Sequence, residues 1–242
     1  MIKNILITGV SQGLGLAVAR AVVAQGWTVY GLSRTLSSDF ATLQTEQPDR
    51  VKFYPFDLAN IDEVKTKLFK EFVGLDVPLH GLVNNAAAAY DDLVTNLDLE
   101  RLQAMYAVNV FAPMMVTRQA IRNMLLHGQG GSIVQISSIS VHTGYKGLAM
   151  YASTKGALEA FSKNTAREWG ERGIRSNCVV AGFMETAMSG TLTDEQRQRI
   201  YQRTALKQAT SLESVAATVV HLLGDGAASI TGQSVVVDSG TI

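Results

Sequence analysis

The stretch "NILITGVSQGLGLAVARAVVAQG", residues 4–26, decides the fold. It opens on "NILITG" (4–9), a short apolar run suited to a strand covered on both faces. It closes on "LGLAVARAVVAQG" (14–26), a helix-length segment with Gly26 placed as its C-cap. Between them "TGVSQGLG" (8–15) spaces Gly9, Gly13 and Gly15 as G-x-x-x-G-x-G. Glycines let the backbone turn sharply and approach a ligand, and the helix that follows offers unpaired N–H groups to a phosphate. The spacing differs from G-x-G-x-x-G, so the loop is wider. Ser11, Gln12 and Leu14 fill the remaining places and complete the expected cofactor-binding turn.

The pattern continues outward. Strand-like runs recur at "TVYGL" (28–32), "VKFYPF" (51–56), "LHGLVNN" (79–85), "SIVQISS" (132–138), "IRSNCVV" (174–180) and "QSVVVD" (233–238). Helix-length segments separate them. "IDEVKTKLFKEF" (61–72) sets Ile61, Val64, Leu68 and Phe72 at helical spacing, and segments near 99–127, 151–172 and 212–223 behave alike. Alternating strands and helices imply right-handed βαβ units and an α/β fold, a doubly wound Rossmann-type parallel sheet of about seven strands. No repeat or Pro-rich linker divides the 242 residues, so one domain is expected. Residues 183–210 fit the sheet pattern least and read as a substrate-lid excursion with a short helix.

Composition narrows the function. Lysine plus arginine equals aspartate plus glutamate at 21 each, so no basic field exists to hold nucleic acid. No apolar run approaches the ~18 residues of a membrane span, and the N-terminus lacks a signal peptide's apolar core. The one cysteine, Cys178, cannot form an internal disulfide. A cytoplasmic setting is expected. His80, His127, His142 and His221 have no ligand spacing, so no metal is expected. His142 lies shortly after Ser138, either lining a substrate pocket or sitting on an exposed loop.

The end of the second strand discriminates between dinucleotides. An acid there would bind an adenosine 2′-hydroxyl. The chain has "GLSRT" (31–35), with Ser33 and Arg34, and a planar guanidinium suits a 2′-phosphate. NADP is the expected cofactor. Asp57 and Leu58, in "PFDL", end the third strand, where Asp57 either accepts from the adenine amino group or caps the turn.

"YASTK" (151–155) begins a helix about a dozen residues after "ISSIS" (136–140). Tyr151 and Lys155, at i and i+4, share a face. A free tyrosine, with a pKa of ~10, is a poor acid or base at neutral pH. A neighbouring ammonium and a cationic nicotinamide both favour its phenolate. Tyr151 can then exchange a proton with a carbonyl or alcohol while hydride moves. Ser138, ending the preceding strand, can hydrogen-bond the same oxygen.

With "TGVSQGLG", "NNAA" (84–87), Asn109, Ser138, "YASTK" and the tail "ITGQSVVVDSG" in this order, the chain resembles the short-chain dehydrogenase/reductases over nearly its whole length. The resemblance implies Tyr151 as general acid/base, Lys155 as tuner of its pKa and ribose ligand, and Ser138 as donor to the substrate oxygen. Asn109 would hold a water in the proton relay. Asn85, Ala86, Gly182 and Met184 would join the cofactor contacts. Phe183 and Met184 would pack on the nicotinamide or acyl chain, or in the core.

"AREWGERGIRSNCVVAGFMETAM" (166–188) is most similar to bacterial 3-oxoacyl-[acyl-carrier-protein] reductases. That implies β-ketoacyl reduction with NADPH, docking of an acyl carrier protein, and a homotetramer or dimer. The chain departs from the family at Ala87 and at Ala181-Gly182. Gln129 stands where carrier-dependent members often carry a basic residue, while Arg172 keeps a docking cation. The alternatives are a reductase of another small ketone in secondary metabolism and a nucleotide-binding regulator without catalysis.

Overall fold

The computed structural model describes residues 2–186 and 192–242, so 187–191 of the lid excursion lie outside the described residues. The strands are β1 (Asn4–Thr8), β2 (Thr28–Ser33), β3 (Val51–Pro55), β4 (Gly81–Asn84), β5 (Gly131–Ser138), β6 (Ile174–Ala181) and β7 (Ser234–Val237). They form one seven-stranded sheet in the order β3-β2-β1-β4-β5-β6-β7. Every pairing is parallel. The order reverses between β1 and β4, and the crevice beyond their C-terminal ends is where such sheets bind ligands.

Side-chain alternation decides which core each residue enters. Ile5 and Ile7 of β1, Val83 of β4 and Val134 of β5 pack on one face, with α1 (Gly13–Ala24) and α8 (Leu212–Leu223). Leu6, Leu82 and Ile133 pack on the other, with the helix Val64–Phe72 and α4 (Ala112–His127). The apolar sequence runs reflect that double covering. Gly26 adopts φ +74°, the left-handed conformation expected of a helix stop.

Local differences from the sequence reading have physical causes. A helix α2 (Ser38–Glu46) follows β2, started by Ser37, whose Oγ accepts the Phe40 N–H. It buries only Phe40 and Leu43, so its apolar signal is faint. The segment 61–72 is a 3₁₀ turn, Ile61–Glu63, leading into π-helical turns in which Val73 N–H bonds the Leu68 carbonyl. The segment 99–127 comprises α3 (Leu99–Tyr106), π-helical Ala107–Phe111, and α4. A short α5 (Ser140–Thr143) follows β5. The "YASTK" helix, α6 (Ala149–Trp169), starts two residues early and gives way to a 3₁₀ turn at Gly170–Arg172. In the excursion, α7 (Asp194–Tyr201) begins with a capping box between Thr193 and Gln196.

Candidate active site

The glycine turn after β1 is built against the loop after β4. The Thr8 hydroxyl accepts the N–H groups of Asn85 and Ala86, each at 3.0 Å. The Asn85 amide donates to the carbonyls of Thr8 and Gly9, both at 3.0 Å. A Cβ on Gly9, at φ +76°, would meet Ala86 Cα at 2.9 Å, and one on Gly15 would meet the Gly9 carbonyl oxygen at 2.0 Å. Gln12 is the N-cap of α1 but makes no side-chain capping bond, and the first turn holds no acid. The positive end of the helix is therefore left for an outside anion. Gly13 opens α1 at φ +56°, and Leu14 is buried beneath.

The remaining cofactor candidates also gather at this edge of the sheet. Ser33 Oγ accepts the Ser11 N–H at 3.1 Å, while Ser37 Oγ donates to the Ser11 carbonyl at 2.5 Å. Arg34 is exposed and makes no ion pair among the described residues. Asp57 is exposed, with one carboxylate oxygen accepting the Ala59 N–H at 2.9 Å, and Leu58 is buried. Gly182 N–H donates to the Val237 carbonyl at 2.9 Å, and a Cβ there would meet Thr210 Oγ1 at 2.3 Å. Met184 packs against the α1 side of the core. A tight backbone turn, an uncapped helix start and a free guanidinium beyond β2 fit a phosphorylated dinucleotide.

The reactive candidates come from β5, α6 and the π-helical turn. Ser138 ends β5 and accepts the Ser140 N–H at 3.2 Å, which leaves its own proton to donate. Lys155 is 2% exposed and donates to the Ile136 carbonyl at 2.8 Å, tying α6 to β5 two residues before Ser138. Its ammonium lies 5.7 Å from the centroid of the Tyr151 ring. Tyr151 packs beside Tyr90, Met105 and Met150. Asn109 is fully buried, and its amide is committed. Oδ1 accepts the Ala88 N–H at 2.7 Å, and Nδ2 donates to the Ala88 carbonyl at 2.8 Å and to Thr154 Oγ1 at 3.1 Å. Pro113, four residues on, has no N–H to offer the Asn109 carbonyl, so an α-helical bond is not available to it.

Electrostatics differ from the sequence reading. Burial pushes the Tyr151 phenol up to about 12, and the Asp91 carboxylate adds to the rise. Burial brings the Lys155 ammonium down to about 8. Within the protein alone, desolvation and the Asp91 charge both favour the protonated phenol. Asp91, an exposed carboxylate itself raised by partial desolvation, is marked by no motif. Its signal is its place in the loop after β4, at the ligand-binding edge of the sheet. Gln129 donates to the Leu79 carbonyl at 3.3 Å, a structural contact, whereas Arg172 is exposed. His142 lies on α5 and faces Glu159 at 3.2 Å. Phe183 packs on Tyr201, with ring centroids 6.2 Å apart. Among the described residues no cluster of His, Cys, Asp and Glu could hold a metal, and no helix is long and apolar enough to cross a membrane.

A sheet of this order, with a glycine cradle at its switch point and a half-buried tyrosine above a buried lysine beside it, defines a dinucleotide-linked oxidoreductase scaffold. Comparison with known proteins gives the family. A family model described as Enoyl-(Acyl carrier protein) reductase matches residues 9–241. Nodulation protein G of Rhizobium sp. (strain N33) is 34% identical over 241 residues, covering 98% of this chain and 96% of that one. The 3-oxoacyl-[acyl-carrier-protein] reductase FabG of Escherichia coli (strain K12) is 32% identical over 243 residues, with 98% and 96% covered. A crystal structure from Beutenbergia cavernae, described as an NAD(P)-dependent gluconate 5-dehydrogenase with NADP at low occupancy, superposes with a TM-score of 0.92 at 27% identity. It covers 99% of this chain and 96% of that one. The chain belongs to the short-chain dehydrogenase/reductase family, oxidoreductases acting on alcohols and ketones.

Proposed function

We propose that the chain is an NADPH-dependent carbonyl reductase that converts 3-oxoacyl thioesters, bound to coenzyme A or to an acyl carrier protein, into 3-hydroxyacyl products. The observation that supports the chemistry is Lys155, which shares a helix face with Tyr151 and bonds the Ile136 carbonyl two residues before Ser138. Similarity to FabG over almost the whole chain supports the 3-oxoacyl substrate.

The glycine turn and the start of α1 hold the cofactor's phosphates, Arg34 its 2′-phosphate, and Lys155 the nicotinamide ribose with a proton not used on Ile136. When bound, NADPH supplies the hydride. Ser138 donates a hydrogen bond to the substrate carbonyl and holds it in line. Tyr151 gives its proton to that oxygen as negative charge develops there. The Asn109 carbonyl holds the water that carries a replacement proton toward Lys155 and Tyr151. Residues 183–186 and 192–210 flank the substrate. The chain acts as one domain in the cytoplasm, assembled as a homotetramer. Leu99 on α3 and Phe111 before α4, 61% and 51% exposed, supply apolar surface for that assembly.

The Asp91 charge gives a pH test. Removing it in Asp91→Asn takes away one cause of the raised Tyr151 pKa, so the phenol ionises at lower pH. Reduction needs the protonated phenol. The alkaline fall in kcat is therefore expected to move to lower pH in Asp91→Asn, and a pH–rate profile with NADPH checks it.

A second reading, reduction of another small ketone, is favoured by the gluconate-dehydrogenase description of the Beutenbergia neighbour. Gln129, held on Leu79, also removes one cation from the carrier-docking surface. The deciding experiment follows NADPH oxidation with acetoacetyl-CoA, a 3-oxoacyl-carrier substrate and a panel of simple ketones and keto sugar acids. Turnover favouring the thioesters supports the first reading. Turnover confined to the other carbonyls retires it and leaves the mechanism in place.

A further inference from the structure

One helical turn beyond Lys155, Glu159 continues the i, i+4 series from Tyr151. Its side chain is only 14% exposed, yet it carries no role in the chemistry above. Oε1 accepts the Ser137 hydroxyl at 2.5 Å and faces His142 Nε2 at 3.2 Å. Oε2 accepts the Ser234 hydroxyl of β7 at 3.3 Å. A carboxylate taken from water is costly unless it is bonded, and these partners offset that cost.

The partners sit to either side of the reacting group. Ser137 immediately precedes Ser138 on β5, and His142 lies on the four-residue α5 that follows it. Strand alternation turns Ser137 and Ser138 to opposite faces, so Glu159 holds the backbone that carries Ser138 without touching its hydroxyl. Within the pinned segment, Ser140 N–H donates to Ser138 Oγ and Ile139 N–H to the Ala181 carbonyl. An apolar side chain at 159 would carry no desolvation cost, but it would leave the segment 137–142 without that tether.

We infer that Glu159 is a positioning residue: by bridging Ser137 and His142 it fixes the Ser138 hydroxyl in line with the substrate carbonyl. This rests on the proposed role of Ser138. The loss of a charge-assisted tether predicts about a tenfold fall in kcat for Glu159→Gln, with the NADPH Kd unchanged. Ser137→Ala cuts the same tether at its other end and is expected to give a similar loss, with the double variant no worse than either single one.

The test is a double-mutant cycle with Ser138→Ala, using the best substrate of the panel above. If Glu159 acts through Ser138, Glu159→Gln has no further effect on the Ser138→Ala background. An equal loss on both backgrounds, or an unchanged kcat in Glu159→Gln, overturns the inference and leaves the site reading standing. Full activity in Ser138→Ala sinks the site reading and the inference with it. Thermal unfolding accompanies each variant, and if Glu159→Gln fails to fold, Ser137→Ala replaces it in the same cycle.

Discussion

Tyr151→Phe is expected to lower kcat roughly a thousandfold, within the ~10²–10⁴ that a positioned proton donor contributes. NADPH is expected to bind as tightly as before. The fold should not suffer. The phenylalanine ring keeps the packing against Tyr90, Met105 and Met150, and the Tyr151 hydroxyl has no hydrogen-bond partner among the described residues to be orphaned. Fluorescence titration with NADPH separates binding from turnover, and steady-state kinetics give kcat. Full activity in this variant would retire the proposed acid and shift attention to Ser138.

Arg34→Asp tests the cofactor reading with comparable leverage. The substitution removes the guanidinium and brings in a carboxylate that repels a 2′-phosphate and accepts from a 2′-hydroxyl. A hydrogen bond to a charged group contributes about 1.5–3 kcal/mol, so two lost bonds plus repulsion predict at least a hundredfold swing in kcat/KM from NADPH toward NADH. Arg34 is exposed, so the preference of the unsubstituted chain should also weaken as salt rises. Matched kinetics with both cofactors at low and high ionic strength check this. An unchanged ratio would show that Arg34 makes no such contact.

The layered architecture was readable in the sequence because both sheet faces are covered, which writes each strand as a plain apolar run. The helix near 212–223 was legible from its apolar spacing, and in the structure Ser211 caps it and Gly224 follows its last turn. α2 was not, because only Phe40 and Leu43 of its nine residues are buried. The π-helical turns left no periodic trace, although Pro113 marks where the second must relax. For the candidate site, motif spacing singled out the glycine turn, Ser138, Tyr151 and Lys155. It did not disclose that Asn109 spends its amide on Ala88 and Thr154, or that Asn85 buttresses Gly9. Those contacts join segments 21, 45 and 76 residues apart, and no local pattern encodes them. The raised Tyr151 pKa depends likewise on burial and on a carboxylate from a distant loop.

β1 lies inside the sheet, third in the strand order, with β2 on one side and β4 on the other. Its partner β2 and the neighbouring β3 are complete by Pro55, so that parallel ladder closes over short separations. Pairing with β4 waits for residues 81–84, and the β6–β7 edge joins Cys178–Ala181 to Ser234–Val237. Distant pairings form more slowly, because chain entropy is lost before contacts repay it. During synthesis the N-terminal part emerges first. The half that holds the glycine turn is thus expected to form first, with the half bearing Ser138 and Tyr151 condensing onto it. Pulsed hydrogen exchange during refolding is expected to protect the amides of β1 and β2 ahead of those of β6 and β7.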